Sequence, residues 1–256
     1  MSDVLVLGYH AVSERWPAAL SIAPRHLEEH VRLLADRGFR GVTFQEAVLR
    51  PPGAKTLAIT FDDAYRSVID LALPILSRAG FKATVFAPTA FVGSEEPMAW
   101  PGIDHWRDTE HAAELMPMSW EELQRLAEAG WEIGSHTHSH PRLPTLDDDA
   151  LEDELVRSRR DIEHHLAGPC PSVAYPYGDH DARVVEAARR AGYQAGGTLP
   201  ARLTRGAGPL DWPRIVVVRA DDARRFRWKV SPLVRRARAT GAWSVLHAAR
   251  RGRRGP

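Results

Sequence analysis

The stretch "LSRAGFKATVF", residues 76–86, leads from a helix-like segment through Gly80 and Phe81 into a short apolar run. A glycine just past the last turn of a helix adopts the left-handed conformation that lets the chain reverse. A short, continuous apolar run is typical of a strand that is buried on both faces. The same order recurs in "LLADRGFRGVTF" (33–44), "LAEAGWEIGSH" (126–136) and "ARRAGYQAGGTL" (188–199). It predicts repeated βα units and therefore an α/β fold.

The glycines of this pattern lie at positions 38, 80, 130 and 192, which are 42, 50 and 62 residues apart. Such irregular spacing argues against a solenoid and favours a (β/α) barrel whose loops vary in length. Its strands are expected within residues 4–9, 41–44, 56–61, 83–88, 131–135, 172–176, 194–199 and 214–218. Between residues 94 and 117 the pattern lapses, and we expect a long loop or a small cap there. No linker divides the chain, so we predict one domain over residues 1–230 and a basic C-terminal extension over residues 231–256.

The composition is that of a globular protein, with 44% hydrophobic and 26% charged residues. No apolar run approaches the ~18 residues that span a bilayer. The opening "MSDVLVLGYHAV" lacks the basic region of a secretory signal, so it is interpreted as a first strand. The single cysteine, Cys170, excludes an intrachain disulfide and a thiolate metal cage. We therefore expect a cytoplasmic protein.

The formal net charge of +1 hides an asymmetry along the chain. Eleven Lys and Arg residues follow Asp222, and no acidic residue does. We interpret this segment as a solvated tail, with peripheral contact to an anionic membrane as the alternative. Nucleic acid is not expected as a partner, and the oligomeric state is left open.

Three polar clusters follow predicted strands directly. They are "FDD" in "LAITFDDAY" (57–65), the histidines of "GSHTHSH" (134–140), and "YPYGDHD" (175–181). In a parallel barrel the carboxyl ends of the strands meet on one face, and active sites are built there. The sequence therefore predicts that these clusters share a site.

The residue types in these clusters indicate hydrolysis assisted by a metal. His136 and His140 are four positions apart, so on one helical turn both imidazoles would face the same way. Together with Asp63 they could bind a divalent metal and leave positions open. Asp62, whose side chain diverges from that of Asp63 on an extended backbone, could act as general base towards a water whose pKa the metal lowers to ~7. Alternatively, the aspartates merely cap a helix. His138 is expected to point away from the site.

The motifs "TFDDAY" (60–65), "HTHSH" (136–140) and "YPYGD" (175–179) resemble the first three motifs of the polysaccharide deacetylase family, the NodB-homology carbohydrate esterases of family 4. The segments "LGYHAV", "MSWEEL" and "WPRIVVV" are similar to one branch of that family, so the resemblance spans about residues 4–230. It implies a distorted (β/α) barrel with about seven strands. It also implies metal-dependent removal of N-acetyl or O-acetyl groups from glycans, usually with zinc.

By position, Asp62 resembles the catalytic base of this family. The metal triad of the family corresponds to Asp63, His136 and His140. The backbone N–H of Tyr177 corresponds to a donor that holds the oxyanion during acyl transfer, a contact that is typically worth ~3 kcal/mol. Pro176 and Tyr177 would also contact the substrate, on a turn that Pro176 helps to fix.

The sequence departs from the family in two places. Many members carry an arginine before the third motif, where this chain has Ala174, and Arg214 could supply a guanidinium from another strand. The alternative is that Arg214 is a surface arginine. The expected late histidine that acts as general acid is matched only loosely by His247, and His180 or another group could serve instead.

The combined motifs predict a metal-dependent hydrolase that removes an acetyl group, most simply an N-acetyl group, from a sugar or glycan. One alternative is a hydrolase of another non-peptide C–N bond in a small molecule. The other is a catalytically silent homologue that only binds sugars.

Overall fold

Parallel strands form the centre of the computed structural model, which describes residues 3–53, 55–200 and 208–239. The strands are β1 (Asp3–Tyr9), β2 (Ala11–Val12), β3 (Ser21–Ile22), β4 (Arg40–Val42), β5 (Lys55–Asp62), β6 (Thr84–Ala87), β7 (Glu132–Ser135), β8 (Ser172–Ala174), β9 (Ala195–Thr198), β10 (Trp212–Pro213) and β11 (Ile215–Val216). The helices are α1 (Pro24–Asp36), α2 (Phe44–Leu49), α3 (Leu73–Arg78), α4 (Trp120–Glu128), α5 (Asp148–Leu166), α6 (Ala182–Arg190), α7 (Ala223–Lys229) and α8 (Pro232–Arg238).

The main sheet curls into a near-closed barrel. Its strand order is β10-β9-β8-β7-β6-β5-β1-β11, and every pair is parallel. Because only Arg214 separates β10 from β11, residues 212–216 pair with β9 through their first half and with β1 through their second half. This shared segment joins the two edges of the sheet. If β10 and β11 are counted together as one strand, the barrel thus has seven strands. The short strand β4 lies outside this order and pairs with the first half of β5.

The α/β barrel predicted from the sequence is confirmed, and each of the eight predicted segments overlaps a strand. Their apolar character follows from burial on both faces: all residues of β5 except the first are buried. Helices such as α1 cover the outside of the barrel and turn one apolar stripe, which includes Leu27, Val31 and Leu34, towards the sheet.

The short helix α2 plugs the amino end of the barrel. It contacts β1, β5 and β9, and Phe44 and Val48 pack with small barrel residues such as Ala58 and Ala174. Glu132, at the start of β7, accepts a hydrogen bond from the N–H of Gln45 in the first turn of α2, at 2.9 Å. With one end plugged, the opposite end of the barrel is the one that can receive a ligand.

Residues 94–117, predicted to be a loop or a small cap, form a packed cap. It contains two short 3-10 helices, Asp104–Trp106 and Ala112–Leu115. Its buried side chains are Met98, Trp100, Ile103, Leu115 and Pro117. The cap lies over the carboxyl end of β5, because Arg66 donates its backbone N–H to the carbonyl of Met116 and Tyr65 pairs with Pro117.

The predicted boundary between residues 230 and 231 falls between α7 and α8, and it stays a prediction. Residues 240–256 lie outside the described residues, and so does His247. Within the described chain, every helix is too short or too polar to cross a membrane.

Candidate metal and catalytic site

The turn after β5 places two adjacent carboxylates in different surroundings. The strand ends at Asp62, and the next two residues, Asp63 and Ala64, have φ values of 72° and 53°. The prediction of an extended backbone at Asp63 is therefore wrong, because this residue adopts the left-handed backbone conformation. Non-glycine residues reach that region only at a cost, and such strain is often found at functional sites. Here the turn separates the two carboxylates.

The histidine loop after β7 is not helical, so the predicted helical turn is wrong. Side-chain hydrogen bonds replace the helical ones: Ser135 Oγ accepts from the N–H of Thr137 at 3.0 Å, and Thr137 Oγ1 accepts from the N–H of His140 at 3.1 Å. Thr137 and His140 have positive φ values of 67° and 62°. The imidazoles of His136 and His140 nevertheless converge, with ring centroids 4.8 Å apart.

Asp63 meets both imidazoles. Its Oδ1 lies 3.4 Å from Nε2 of His136 and 3.4 Å from Nε2 of His140, and all three residues are buried. Among the described residues, these three form the group of acidic, histidine or cysteine side chains that could hold a metal ion. The carbonyl of Ala174 lies 2.7 Å from Nδ1 of His136. A proton on Nδ1 satisfies that carbonyl and leaves the Nε2 lone pair directed at Asp63.

The arrangement fits a divalent ion. Ligand atoms at ~2.0–2.1 Å from a tetrahedral ion lie roughly 3.4 Å apart, which matches both measured separations. Asp63 Oδ1 has no hydrogen-bond partner among the described residues, although it is buried. An unpaired carboxylate oxygen in such a place is costly, and a cation would satisfy it.

The electrostatics of the site also favour a cation. Burial opposes ionisation of Asp63, but His136 and His140 outweigh it and hold the pKa of that carboxyl well below its usual range. Burial lowers the pKa of His140 to about 3, so its imidazole is neutral near pH 7, as a metal ligand must be. The pKa of His136 is raised by Asp63 and Asp62 despite burial, because these carboxylates favour a positive charge at its position.

Asp62 forms a buried, bidentate ion pair with Arg214. The guanidinium nitrogens lie 2.6 Å from Oδ1 and 2.9 Å from Oδ2, and one of them also donates to Thr60 Oγ1 at 2.9 Å. Arg214 is fully buried, so the alternative of a surface arginine is wrong. Burial opposes the charge of Asp62, but Arg214 offsets it and lowers the pKa of the carboxyl. A β-carbon on Gly197 would lie 2.8 Å from Arg214 Nε, so this glycine makes room for the arginine.

His10 belongs to the same cluster and was missed by the sequence analysis. It follows β1, is 8% exposed, and places Nε2 3.9 Å from Asp62 Oδ2. Its Nδ1 has no hydrogen-bond partner among the described residues. The rule that selected the other clusters would have found it, because the predicted strand 4–9 ends directly before this histidine.

Tyr177 lies beside the Asp63–His136–His140 group, and Pro176 precedes it in the same turn. Pro176 is buried, and Tyr177 has a φ of 60°. The Tyr177 ring contacts His140 edge to face at 4.8 Å, and the Arg142 guanidinium lies 4.2 Å from the centre of that ring. Gly178 has a φ of 72°, and a β-carbon there would lie 2.6 Å from Leu199 Cβ, so this turn needs glycine.

His180 is held outside this cluster. Its Nδ1 lies 3.0 Å from the carbonyl of Gly178, and its Nε2 lies 3.0 Å from Asp211 Oδ1. The ring also stacks on Tyr175. With both ring nitrogens engaged, His180 is a poorer candidate for the general acid than His10.

Helix α5 holds the outer side of the histidine loop. Glu154 Oε2 accepts from the backbone N–H groups of His138 and Ser139, both at 2.8 Å. The His138 ring points away from Asp63, as expected, and its Nδ1 lies 3.0 Å from Thr89 Oγ1. On the inner side, Trp100 of the cap stacks on His140 at 4.2 Å. The histidine loop is therefore held in place by α5 on one side and by the cap on the other.

The chain matches the family model described as polysaccharide deacetylase over residues 49–196. It is 28% identical to YxkH of Bacillus subtilis (strain 168), over 83% of this chain and 70% of that protein. It is 25% identical to the poly-beta-1,6-N-acetyl-D-glucosamine N-deacetylase of Staphylococcus epidermidis, over 84% of this chain and 79% of that protein.

Among solved structures, the fold is similar to that of the Streptococcus pyogenes deacetylase PplD in complex with acetate. The TM-score is 0.75 at 21% identity, over 90% of this chain and 98% of that one. IcaB from Ammonifex degensii gives a TM-score of 0.69 at 25% identity, with the same coverage of both chains. Each likeness covers 90% of this chain, which is more than the matched residues 49–196.

Replacing Glu154 by alanine should weaken binding of a divalent metal ion by ~10–100-fold, the usual effect of losing a group that orients metal ligands. The variant leaves two backbone N–H groups of the strained loop without their acceptor. Isothermal titration of the metal-free protein with zinc measures the effect. Glu152→Ala, an exposed change on the same helix, is the matched control. Equal zinc affinity in Glu154→Ala and the parent would contradict the role assigned to Glu154.

Proposed function

This chain belongs to the polysaccharide deacetylase family, and we propose that it releases acetate from an N-acetylated sugar with Asp62 as the general base. It is a carbohydrate deacetylase, a hydrolase that acts on amide C–N bonds. The observation that carries the proposal is the buried Asp63–His136–His140 group directly beside the Asp62–Arg214 ion pair. An N-acetyl group is favoured because a Staphylococcus epidermidis relative is named as an N-deacetylase of poly-beta-1,6-N-acetyl-D-glucosamine.

The metal ion is zinc in this proposal, held by Asp63, His136 and His140. Two imidazole nitrogens and one carboxylate oxygen are a common donor set for catalytic zinc, which keeps an open position. When bound, such an ion polarises the substrate carbonyl and lowers the pKa of water. Ala174 orients one ligand through its carbonyl, and Glu154 and Trp100 hold the loop that carries the other.

Asp62 accepts the proton of the attacking water. Both of its oxygens bind Arg214, but each carboxylate oxygen has a second lone pair for a further hydrogen bond. The guanidinium fixes the carboxylate plane and keeps Asp62 ionised. Arg214 thus positions the catalytic carboxylate, the role that many family members give to an arginine at the position of Ala174.

The backbone N–H of Tyr177 stabilises the negative charge that develops on the acetyl oxygen. Pro176 and Gly178 fix the turn that presents this donor, and the half-buried Tyr177 ring contacts the substrate. His10 donates a proton to the departing amine. The His10 imidazole is buried, with Nε2 near Asp62 and with Nδ1 lacking a hydrogen-bond partner among the described residues. It can therefore transfer a proton from the vicinity of Asp62 to the leaving group.

The deciding experiment measures acetate release from N-acetylglucosamine oligomers by the zinc-loaded protein and by Asp62→Asn. The asparagine keeps the shape of the side chain but cannot take up a proton at neutral pH. We expect kcat to fall by ~10²–10⁴, the usual contribution of a general base, with zinc content unchanged. The proposal fails if the zinc-loaded parent releases no acetate from any acetylated sugar in a broad panel, or if Asp62→Asn keeps full activity.

Arg214→Lys should lower kcat by about 10–100-fold while KM changes little, because lysine keeps the charge but cannot bind both carboxylate oxygens at once. Steady-state kinetics with the same oligomers gives both constants. Arg190→Lys, an exposed change at the end of α6, is the control. An unchanged kcat in Arg214→Lys would remove Arg214 from the mechanism.

His10→Ala should lower kcat for an N-acetylated sugar by ~10²–10⁴, but far less for an O-acetylated one. An amine leaves poorly unless it is protonated, whereas an alkoxide needs less help. Parallel assays with the two acetyl types on the same sugar give this ratio. An equal loss on both would show that His10 only supports the structure of the site.

A further inference from the structure

The outward faces of α7 and α8 present arginines and large apolar side chains together. Arg224, Arg227 and Trp228 lie three and four positions apart, so they share one face of α7. Trp228 is 58% exposed, and Leu233 in the first turn of α8 is 77% exposed. They are the two most exposed large apolar side chains in the described parts of the chain.

The inward faces of the same helices are firmly anchored. Phe226 is fully buried and stacks on His30 of α1 at 3.7 Å, while Val230 and Val234 are also buried. The Lys229 amine forms an ion pair with buried Asp221. The exposed Trp228 and Leu233 therefore belong to helices whose opposite faces are packed against the rest of the protein.

The charge of this region has one sign. Residues 223–239 contain seven Lys and Arg residues and no Asp or Glu, and residues 240–256 add four more arginines without an acidic side chain. Lys229 is neutralised by Asp221, whereas Arg224, Arg227 and Arg236 are exposed beside Trp228 and Leu233.

We propose that this docking surface, formed by Arg224, Arg227, Trp228, Leu233 and Arg236, binds an anionic lipid membrane. Tryptophan prefers the membrane–water interface, leucine gains from entering the acyl region, and arginines attract the phosphates of anionic lipids. The phosphates of a nucleic acid would also attract the arginines, but they would make no favourable contact with a leucine exposed on the same surface.

The segment that leads into the docking surface starts at the same end of the barrel as the catalytic site. Arg219 lies three residues before Asp222, the N-cap residue of α7. Its guanidinium donates to the carbonyls of Ser13 and Glu14. Those residues follow His10 by three and four positions.

The test is flotation of the whole chain with phosphatidylcholine vesicles that contain a quarter phosphatidylglycerol, and with pure phosphatidylcholine vesicles. We expect binding to the anionic vesicles only. Trp228→Ser with Leu233→Ser, and separately Arg224→Gln with Arg227→Gln, should each lower the partition coefficient at least about tenfold. The control pair Arg157→Gln with Arg160→Gln removes two exposed arginines with the same spacing from α5 and should bind like the parent.

Circular dichroism and thermal unfolding establish that each variant is folded, independently of any activity. The proposal is overturned if the parent does not float with anionic vesicles. It is also overturned if both double variants bind as well as the parent, which would assign binding to residues 240–256. Binding of the parent to duplex DNA but not to vesicles would assign the surface to nucleic acid and overturn it as well.

Discussion

Two carboxylates, Asp62 and Asp63, are buried next to each other at the end of β5, where a charge without a partner is expensive. The structure compensates them in different ways. Asp62 receives a fixed guanidinium from the last barrel strand. Asp63 faces two imidazoles and keeps an unsatisfied oxygen that a cation can occupy. These different partners suit the different roles proposed for the two carboxylates, because Arg214 keeps Asp62 ionised while one oxygen of Asp63 stays available to a cation.

The backbone of the site is strained, and the surrounding barrel holds it in place. Six non-glycine residues in the described chain have positive φ values, and five of them lie in the three site loops. They are Asp63, Ala64, Thr137, His140 and Tyr177. Each such conformation costs ~1–3 kcal/mol, which must be offset by contacts nearby. Ser135, Thr137 and Glu154 offset part of it by accepting the backbone N–H groups of the histidine loop.

The barrel and the grouping of the site loops could be predicted from the sequence, because both follow from local rules. Helix–glycine–strand repeats mark βα units, and parallel strands bring their carboxyl ends to one face. The conformation of the loops could not be predicted in this way. A spacing of four between His136 and His140 suits a helix, yet backbone N–H groups that donate to the Ser135 and Thr137 side chains determine another path. These competing bonds depend on positions that only the folded chain defines.

From the sequence, the role of Arg214 could be given only as one of two alternatives, because its partner is 152 positions away. Nothing local distinguishes a buried arginine from a surface one. Its burial depends on Gly197, which leaves space for the side chain, and on the pairing of residues 212–216 with both edges of the sheet. Likewise His10 stood at the end of a predicted strand, but its nearness to Asp62 needed the register between β1 and β5.

The position of Arg214 on the closing segment links the chemistry to the order of synthesis. As the chain leaves the ribosome, both aspartates and both histidines emerge long before this arginine does. Until it docks, the sheet is still open and the base lacks its counterion. A nascent or proteolytically shortened polypeptide without residues 212–216 would therefore contain Asp63, His136 and His140, but it would lack both the counterion of Asp62 and the segment that joins the two edges of the sheet.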